Sequence, residues 1–199
     1  MLKKFNNYFS LFLILIYLSG CVSAVIGGVA TVGLATVQER SLKDSAIDLK
    51  LELQLQKKLF EASKDKLFAY VDVIIIEQRI MLIGNVESQE VRDLATKISW
   101  EVSPKIKAVL NELTIGGKTT LVSEAKDVRI SLSLSGLLIG DVDISDINFS
   151  HSVSKQVIFL IGIAKNDDEL NQVIYHARTI KGVRKVISHI ILKNDKKRM

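Results

Sequence analysis

The sequence predicts an α+β protein built from two similar units in tandem. The first observation is an internal repeat: apolar runs ending in Leu-Ile-Gly recur at residues 82–84 and 160–162. The second observation is that a Val- and Ile-rich stretch precedes each run and an amphipathic helix pattern follows it. A repeat of this length is too long for a solenoid unit and suits two small domains.

Most elements of each unit follow from periodicity. In the first unit we predict strands at residues 71–76, 80–86 and 109–115, and in the second a strand around Phe149 and strands at 157–161 and 186–192. We expect Gly84 and Gly162 to end their strands. One helix per unit carries its apolar residues on one face: Val91, Leu94, Ala95, Ile98 and Val102 in the first, and Leu170, Val173, Ile174 and Ala177 in the second. Asn166 and Glu169 have the spacing of a capping box.

The opening segment of each unit is ambiguous. Residues 47–55 alternate between apolar and polar residues, which is strand periodicity, yet their Leu, Glu, Lys and Gln content favours a helix. Ile47, Leu51, Leu55 and Leu59 also fall on one helical stripe. The second unit poses the same question, because the alternating Ile47, Leu49, Leu51 and Leu53 align with Val128, Ile130, Leu132 and Leu134. Periodicity leaves helix and strand both open.

The amino terminus has the pattern of a secretory signal. Lys3 and Lys4 precede an apolar run at residues 9–18, which is shorter than the roughly 20 residues of a membrane-spanning helix. Leu18, Ser19, Gly20 and Cys21 resemble the lipobox of bacterial lipoproteins. This resemblance implies cleavage after residue 20 and acylation of Cys21, the single cysteine of the chain. An uncleaved signal anchor, in which Cys21 is an ordinary apolar residue, is the alternative.

The two units behind this signal resemble the BON domains of dual BON-domain outer-membrane lipoproteins. The resemblance rests on the repeated Leu-Ile-Gly strand and on residues 180–192, where Gly182, Val183, Val186 and Ile190 fit the closing pattern of the family. The first unit departs from that pattern at residues 103–106. The resemblance implies an αββαβ fold with two helices on a three-stranded mixed sheet, so that both opening segments are helices.

The predicted domain organisation follows from these assignments. We expect a signal peptide at residues 1–20, a lipidated Cys21 with a small-residue spacer at 21–41, BON-like domains at 42–115 and 121–193, a linker at 116–120 and a basic tail at 194–199.

The sequence offers no catalytic or metal-binding constellation. His151, His176 and His189 are the three histidines, and none has metal-ligand spacing or an acidic partner beside it in the sequence. The glycines at 116 and 117 lack the remainder of a phosphate loop, and the Asp141, Asp143 and Asp146 cluster lacks calcium-loop spacing. We therefore predict a protein that is not an enzyme and uses no cofactor or metal.

Positive charge is concentrated near the carboxyl terminus. The formal net charge of the chain is +5, and residues 178–198 contain eight Lys and Arg residues with Asp195 as their one acid. For a protein held at a membrane, the nearest anion is a phospholipid head group. Arg178, Lys181, Arg184 and Lys185 are therefore candidate phospholipid-binding residues. A solvated end and favourable pairing with a helix dipole are the alternative explanations.

The resemblance implies a non-catalytic, palmitoylated lipoprotein of the outer membrane that faces the periplasm. Its expected role is to bind anionic phospholipid and support outer-membrane integrity, with envelope proteins as possible partners and no nucleic acid. A structural lipoprotein that binds an envelope protein or a cell-wall component is the alternative. A membrane-active hydrolase would need a nucleophile and base pair that the sequence does not indicate.

Overall fold

The computed structural model describes residues 41–63, 67, 70–116 and 119–198. The first unit contains helix α1 (Leu42–Ala62), strands β1 (Val71–Ile76) and β2 (Arg79–Val86), helix α2 (Gln89–Glu101) and strand β3 (Ala108–Ile115). The second unit contains α3 (Leu121–Gly140), β4 (Phe149–Ser154), β5 (Val157–Ala164), α4 (Asp167–Thr179) and β6 (Lys185–Leu192). The predicted pair of αββαβ units is confirmed. The predicted signal peptide and Cys21 lie outside the described residues.

Each of these four helices begins at a side-chain cap. The side chains of Ser41, Ser88, Thr120 and Asn166 accept a hydrogen bond from the backbone N–H three residues later, which satisfies one otherwise unpaired donor. The predicted Asn166–Glu169 cap is therefore present. In a usual capping box the glutamate would accept from the backbone N–H of the cap residue, Asn166. Here the Glu169 carboxylate accepts instead from the backbone N–H groups of Lys165 and Ser145.

Both opening segments are helices, and the inward face of each is apolar. Leu51, Leu55 and Leu59 of α1 are buried in the first core, and Ile130, Leu134 and Leu138 of α3 are buried in the second.

The predicted alignment of these two segments is wrong. It paired Leu49 with Ile130, whereas the structure matches exposed Leu49 with exposed Val128 and buried Leu51 with buried Ile130. The predicted alignment was thus shifted by two residues, which is one apolar–polar repeat of the pattern. Such a shift would leave the faces of a strand unchanged, but it moves every residue of a helix to a different face, because the helical period is 3.6.

The two strand hairpins turn in the same way. Glu77 and Gln78 connect β1 to β2, Lys155 and Gln156 connect β4 to β5, and all four have φ between 50° and 61°, as a type I′ turn requires. A buried aspartate of the preceding helix holds each turn. Asp48 accepts from the Glu77 and Gln78 N–H groups at 2.7 and 2.9 Å, and Asp127 accepts from those of Lys155 and Gln156 at 2.8 and 2.7 Å.

The repeated glycines occupy equivalent positions inside β2 and β5. Gly84 pairs with Val71, and Gly162 pairs with Phe149. The expectation that they end their strands is wrong, because β2 continues to Val86 and β5 to Ala164. A Cβ on Gly84 would lie 2.0 Å from the Tyr70 carbonyl oxygen, and one on Gly162 would lie 2.6 Å from that of Asn148. Close approach of the neighbouring backbone therefore requires glycine.

Each unit has a sheet of three strands, with β2 in the centre of the first sheet and β5 in the centre of the second. β2 is antiparallel to β1 and parallel to β3, and β5 is antiparallel to β4 and parallel to β6. The two helices of a unit cover one face of its sheet. Ile158 and Leu160 point towards this helical layer, whereas Phe159 and Ile161 point to the opposite face.

The opposite faces of the two sheets pack against each other. Ile76, Met81, Ile83, Phe159, Ile161, Ile163 and Ile191 form a third buried cluster contributed by both units. The order of layers is thus helices, sheet, sheet, helices. Glu112 and His189 hold equivalent positions beside Ile83 and Ile161, and their side chains meet at 2.7 Å. The two units are accordingly related by an approximate local twofold axis.

Candidate functional site

The four predicted basic residues lie on one end of the second unit. Arg178 is near the end of α4, Lys181 and Arg184 are in the connection to β6, and Lys185 is the first residue of that strand. All four are exposed. The Arg184 N–H donates to the Gln156 carbonyl at 2.8 Å, so the connection is fixed to the β4–β5 turn.

The basic tail is not part of this group. Lys193 follows the far end of β6, and Arg198 forms a short ion pair with Glu77 of the first unit, with Nη2–Oε1 at 2.6 Å and Nε–Oε2 at 3.0 Å. Arg198 Nη1 also donates to the Lys193 carbonyl at 2.6 Å. The continuous positive stretch of the sequence is therefore divided between the two ends of β6, and its last residues join the two units.

Helix α3 exposes a row of apolar side chains that was not predicted. Leu121, Val128, Leu132 and Ile139 are 84%, 59%, 68% and 69% exposed and share one face of the helix. Val142, just past the helix, is 97% exposed. The residues from 130 to 140 contain no charged side chain. We refer to Leu121, Val128, Leu132 and Ile139 as the α3 stripe.

The α3 stripe and the basic end are neighbours. Arg129 follows Val128 on α3, and its guanidinium Nη2 donates to the Lys181 carbonyl at 3.1 Å. Because α3 and α4 pack side by side in an antiparallel arrangement, this bond brings the connection with Lys181 and Arg184 to the flank of the stripe. An exposed apolar row bordered by positive side chains matches the acyl and head-group layers of an anionic phospholipid surface.

The sequence contained a signal for the stripe. A solvent-facing helix normally carries charge on its outer face, and the uncharged stretch at 130–140 departs from that pattern. The strand-like alternation of Val128, Ile130, Leu132 and Leu134 obscured this signal. Only the helical conformation separates Val128 and Leu132 from the buried Ile130 and Leu134.

The three histidines have structural partners. His176 Nε2 lies 2.7 Å from Asp141 Oδ2, His189 Nε2 lies 2.7 Å from Glu112 Oε1, and His151 Nε2 lies 3.1 Å from Ser131 Oγ. The acidic partners of His176 and His189 are distant in the sequence, so neighbouring residues gave no sign of them. Each of these contacts joins two different elements, which explains the histidine without a catalytic role.

Two of these groups have perturbed pKa values. Hydrogen bonds from His176, from the Asp143 N–H and from Gln172 lower the pKa of Asp141 to about 2. Burial lowers the pKa of His151, partly offset by its bond to the Ser131 carbonyl. His151 is therefore held in its neutral form beneath α3 at neutral pH.

A cavity of about 680 Å³ opens between β1 and β4. Its lining includes Asp72, Glu124, Ser152 and Ser154. Carboxylates make this cleft a poor match for an anionic ligand. Within the described ranges, no three His, Cys, Asp or Glu side chains are grouped so that they could hold a metal ion. None of the described helices is long and apolar enough to cross a bilayer.

Comparison with known proteins places these observations in context. The chain is 32% identical over 152 residues to an uncharacterised protein encoded in the gshII 5′ region of Anaplasma centrale, covering 76% of this chain and 98% of that protein. It is 27% identical over 172 residues to the outer membrane lipoprotein DolP of Haemophilus influenzae, covering 86% of this chain and 88% of DolP.

Among solved structures, the chain is similar to CdsD, a structural protein of the type III secretion system of Chlamydia trachomatis. The identity is 19% and the TM-score 0.30, and the match covers 71% of this chain and 62% of CdsD. The profile of the BON domain matches residues 43–117 and 126–194. Because these two segments together span well over half of the chain and each falls on one αββαβ unit, the protein belongs to the BON domain family and carries two BON domains.

Proposed function

We propose that this protein is a non-catalytic, lipid-anchored envelope protein that binds anionic phospholipid through its second BON domain. The observation that carries the proposal is the exposed apolar α3 stripe, whose flank is bonded through Arg129 to the connection that carries Lys181 and Arg184. Arg178 and Lys185 stand at the two ends of that connection. Transferring a leucine side chain from water to an apolar layer is worth about 1.5–3 kcal/mol. Each basic residue close to an anionic surface adds about 1 kcal/mol.

The proposal includes an acyl anchor at Cys21, with residues 1–20 removed and the domains following at about 42–115 and 121–193. Similarity to an outer membrane lipoprotein supports placement on the periplasmic side of the outer membrane and a part in maintaining its integrity. Two or more acyl chains hold a protein stably at a bilayer without a spanning helix. An intact mass that corresponds to cleavage before Cys21 plus acyl groups is expected for protein extracted from membranes.

Vesicle flotation tests the lipid contact. A form beginning at residue 22 should float with phosphatidylglycerol or cardiolipin vesicles and much less with neutral ones. Replacing Val128 and Leu132 with serine should lower the affinity about tenfold or more, because less apolar area enters the bilayer. Arg184→Glu with Lys185→Glu should also weaken binding. Salt should reduce it, since charges are screened over about 8 Å at physiological ionic strength.

Lys97→Glu on α2 is the matched control, because Lys97 is also exposed but lies on the first domain. It should leave flotation unchanged. If vesicle charge makes no difference and the α3 variants float like the unaltered protein, the lipid contact is refuted. A protein or cell-wall partner for the same stripe would then be the better explanation.

A further inference from the structure

Helix α1 carries a second outward-facing apolar row, which is flanked by charged residues at positions where the α3 stripe is flanked by uncharged ones. Ala46, Leu49, Leu53, Gln56 and Phe60 alternate at spacings of three and four residues, which is the a and d pattern of a coiled coil. Leu49 and Leu53 are both 59% exposed and Phe60 is 46% exposed. They point away from the core, which holds Leu51, Leu55 and Leu59. We refer to Ala46, Leu49, Leu53, Gln56 and Phe60 as the α1 stripe.

The two stripes correspond position by position. When the helices are aligned by their buried residues, Leu49, Leu53 and Phe60 match Val128, Leu132 and Ile139. Their flanks do not correspond. Glu52 and Lys57 on α1 are replaced by Ser131 and Gly136 on α3. The border of the α1 stripe therefore carries opposite charges where that of the α3 stripe has small uncharged residues, which indicates a protein partner for α1.

The charge pattern selects a parallel second copy. With Leu53 at an a position, Glu52 is at g and Lys57 at the following e position. In a parallel helix pair a g residue meets the e residue of the next heptad on its partner, so Glu52 of each copy faces Lys57 of the other. An antiparallel pair would place the same flanks together, bringing Lys50 and Lys57 against the same flank of the other copy. The pattern is thus self-complementary only in the parallel orientation.

The surroundings of Glu52 support this arrangement. Within the described part of the chain its carboxylate accepts a hydrogen bond from Gln56 at 3.2 Å and has no cationic partner. Partial burial, together with the nearby Asp72 and Asp48 carboxylates, raises the pKa of Glu52. A cation from outside would stabilise its charged form. Lys57 pairs with Glu61 on the same helix, at 3.6 Å and with both side chains exposed, and such a pair is weak.

We propose that two copies of this protein associate in parallel through their α1 stripes, with reciprocal Glu52–Lys57 ion pairs. The twofold axis would run along α1, so both α1 helices begin at the same end of the dimer. Two sheets separate α1 from α3, so three layer spacings of about 10 Å place the start of α1 about 30 Å from a bilayer that contacts the α3 stripe of the same copy, and about 40 Å for the second copy. A spacer from Cys21 to Ser41 reaches about 66 Å when extended, so both anchors can enter one membrane.

The dimer also constrains lipid contact. α1 and α3 lie on opposite outer layers, so the two α3 stripes of a dimer face away from each other. Only one of them can lie on a given bilayer. The dimer is inferred from the residues of α1 alone and does not depend on the proposed lipid contact.

Disulfide trapping of the full chain in its membrane tests the proposal. A parallel pair brings position 49 next to its own counterpart, so Leu49→Cys should yield a covalent dimer under mild oxidation. Val128→Cys, the equivalent exposed position on α3, is the matched control and should yield none. The unaltered chain, with Cys21 alone, should also yield none. A dimer from all three proteins, or from none, would overturn the proposal, as would a crosslinked product whose mass is not twice that of the chain.

Charge exchange tests the register. Combined with Leu49→Cys, either Glu52→Lys or Lys57→Glu should largely abolish the dimer, since each places like charges together. The double variant should restore it. A mixture of the two single variants should form the heterodimer in preference to either homodimer. Lys97→Glu, which alters a similar exposed pair with Glu101 on α2, should have no effect. Equal trapping in all these variants would refute the Glu52–Lys57 contact.

Discussion

Asp141 shows how a residue that looks like part of a solvated acidic cluster can be structural. Its carboxylate ends helix α3 and accepts hydrogen bonds from His176 and Gln172 of α4 at 2.7 and 3.1 Å. The Asp143 N–H donates to its other oxygen at 3.0 Å. These bonds favour the charged carboxylate and join the two helices that cover the second sheet. The neighbouring Asp143 and Asp146 carboxylates are exposed, and sequence spacing does not distinguish the three residues.

Acid should weaken the second domain through Asp141. Because its pKa is lowered from 3.8 to about 2 in the folded state, this carboxylate stabilises the fold above pH 4 and loses that contribution as the pH falls towards 2. Asp141→Asn should therefore flatten the decline of the free energy of unfolding between pH 4 and pH 2, as measured by urea denaturation. Asp143→Asn, which removes an exposed neighbouring carboxylate, is the control. Identical pH slopes for Asp141→Asn and the unaltered protein would contradict this assignment.

At the scale of elements, the main regularity is the bond between each opening helix and the hairpin that follows it. Asp48 and Asp127 are 3% and 8% exposed, and each carboxylate accepts from both N–H groups of a type I′ turn. Neither turn contains the glycine or asparagine that normally relieves positive φ. The aspartate bonds offset part of that backbone cost. They also fix the direction in which α1 and α3 cross their sheets.

Replacing either aspartate with asparagine should destabilise its own domain. The amide nitrogen cannot accept a hydrogen bond, so a turn N–H is left unpaired in a buried place, at a cost of about 2 kcal/mol in the free energy of unfolding. Asp48→Asn and Asp127→Asn should have similar effects in denaturant titrations, because the two sites have the same geometry. Glu124→Gln, on the exposed side of α3, should change stability by less than about 0.5 kcal/mol. If Asp48→Asn and Asp127→Asn also cost less than about 0.5 kcal/mol, the hydrogen bonds between these aspartates and the turns do not stabilise the domains.

At the scale of the whole molecule, the two domains share a buried interface rather than a flexible connection alone. Met81, Ile83, Phe159 and Ile161 lie between the sheets. Polar contacts also join the two domains. Arg79, only 7% exposed, donates from Nη2 to the His189 carbonyl at 2.8 Å, while Lys155 Nζ donates to Asn85 Oδ1 at 2.8 Å. Each hairpin turn region is therefore tied to the opposite domain, as expected for a local twofold arrangement.

Phe159→Ala tests the importance of that interface. Phe159 is 4% exposed and belongs to the cluster between the sheets, not to the helix-facing core of its own domain. Its truncation should lower the free energy of unfolding by about 3 kcal/mol, through lost apolar burial and the resulting cavity. Tyr175→Ala, which removes an aromatic side chain that is 60% exposed, is the control and should cost far less. Equal losses of unfolding free energy in Phe159→Ala and Tyr175→Ala would mean that the packing of the two sheets does not depend on Phe159.

Much of this architecture was accessible from local sequence patterns. The strands, the α2 and α4 helices and the internal repeat follow from periodicities that each segment carries by itself, and Ser, Thr and Asn caps mark the helix starts. Some details were wrong for the same local reason. Leu94, expected on the buried face of α2, is 40% exposed, because a helical stripe predicted from spacing alone does not show how far the packed face extends.

Local sequence patterns are sufficient to predict the repeated α+β units, whereas the contacts of the buried apolar surfaces depend on tertiary packing. The uninterrupted apolar residues of β2 and β5 were a sign of strands buried on both faces, but not of what covers the second face. Leu49 and Leu132 fitted a strand pattern as well as an outward helical row, because alternation and a helical stripe share several positions. Partners such as Glu112 and His189 are far apart in the sequence, and only the packing of one sheet on the other brings them together.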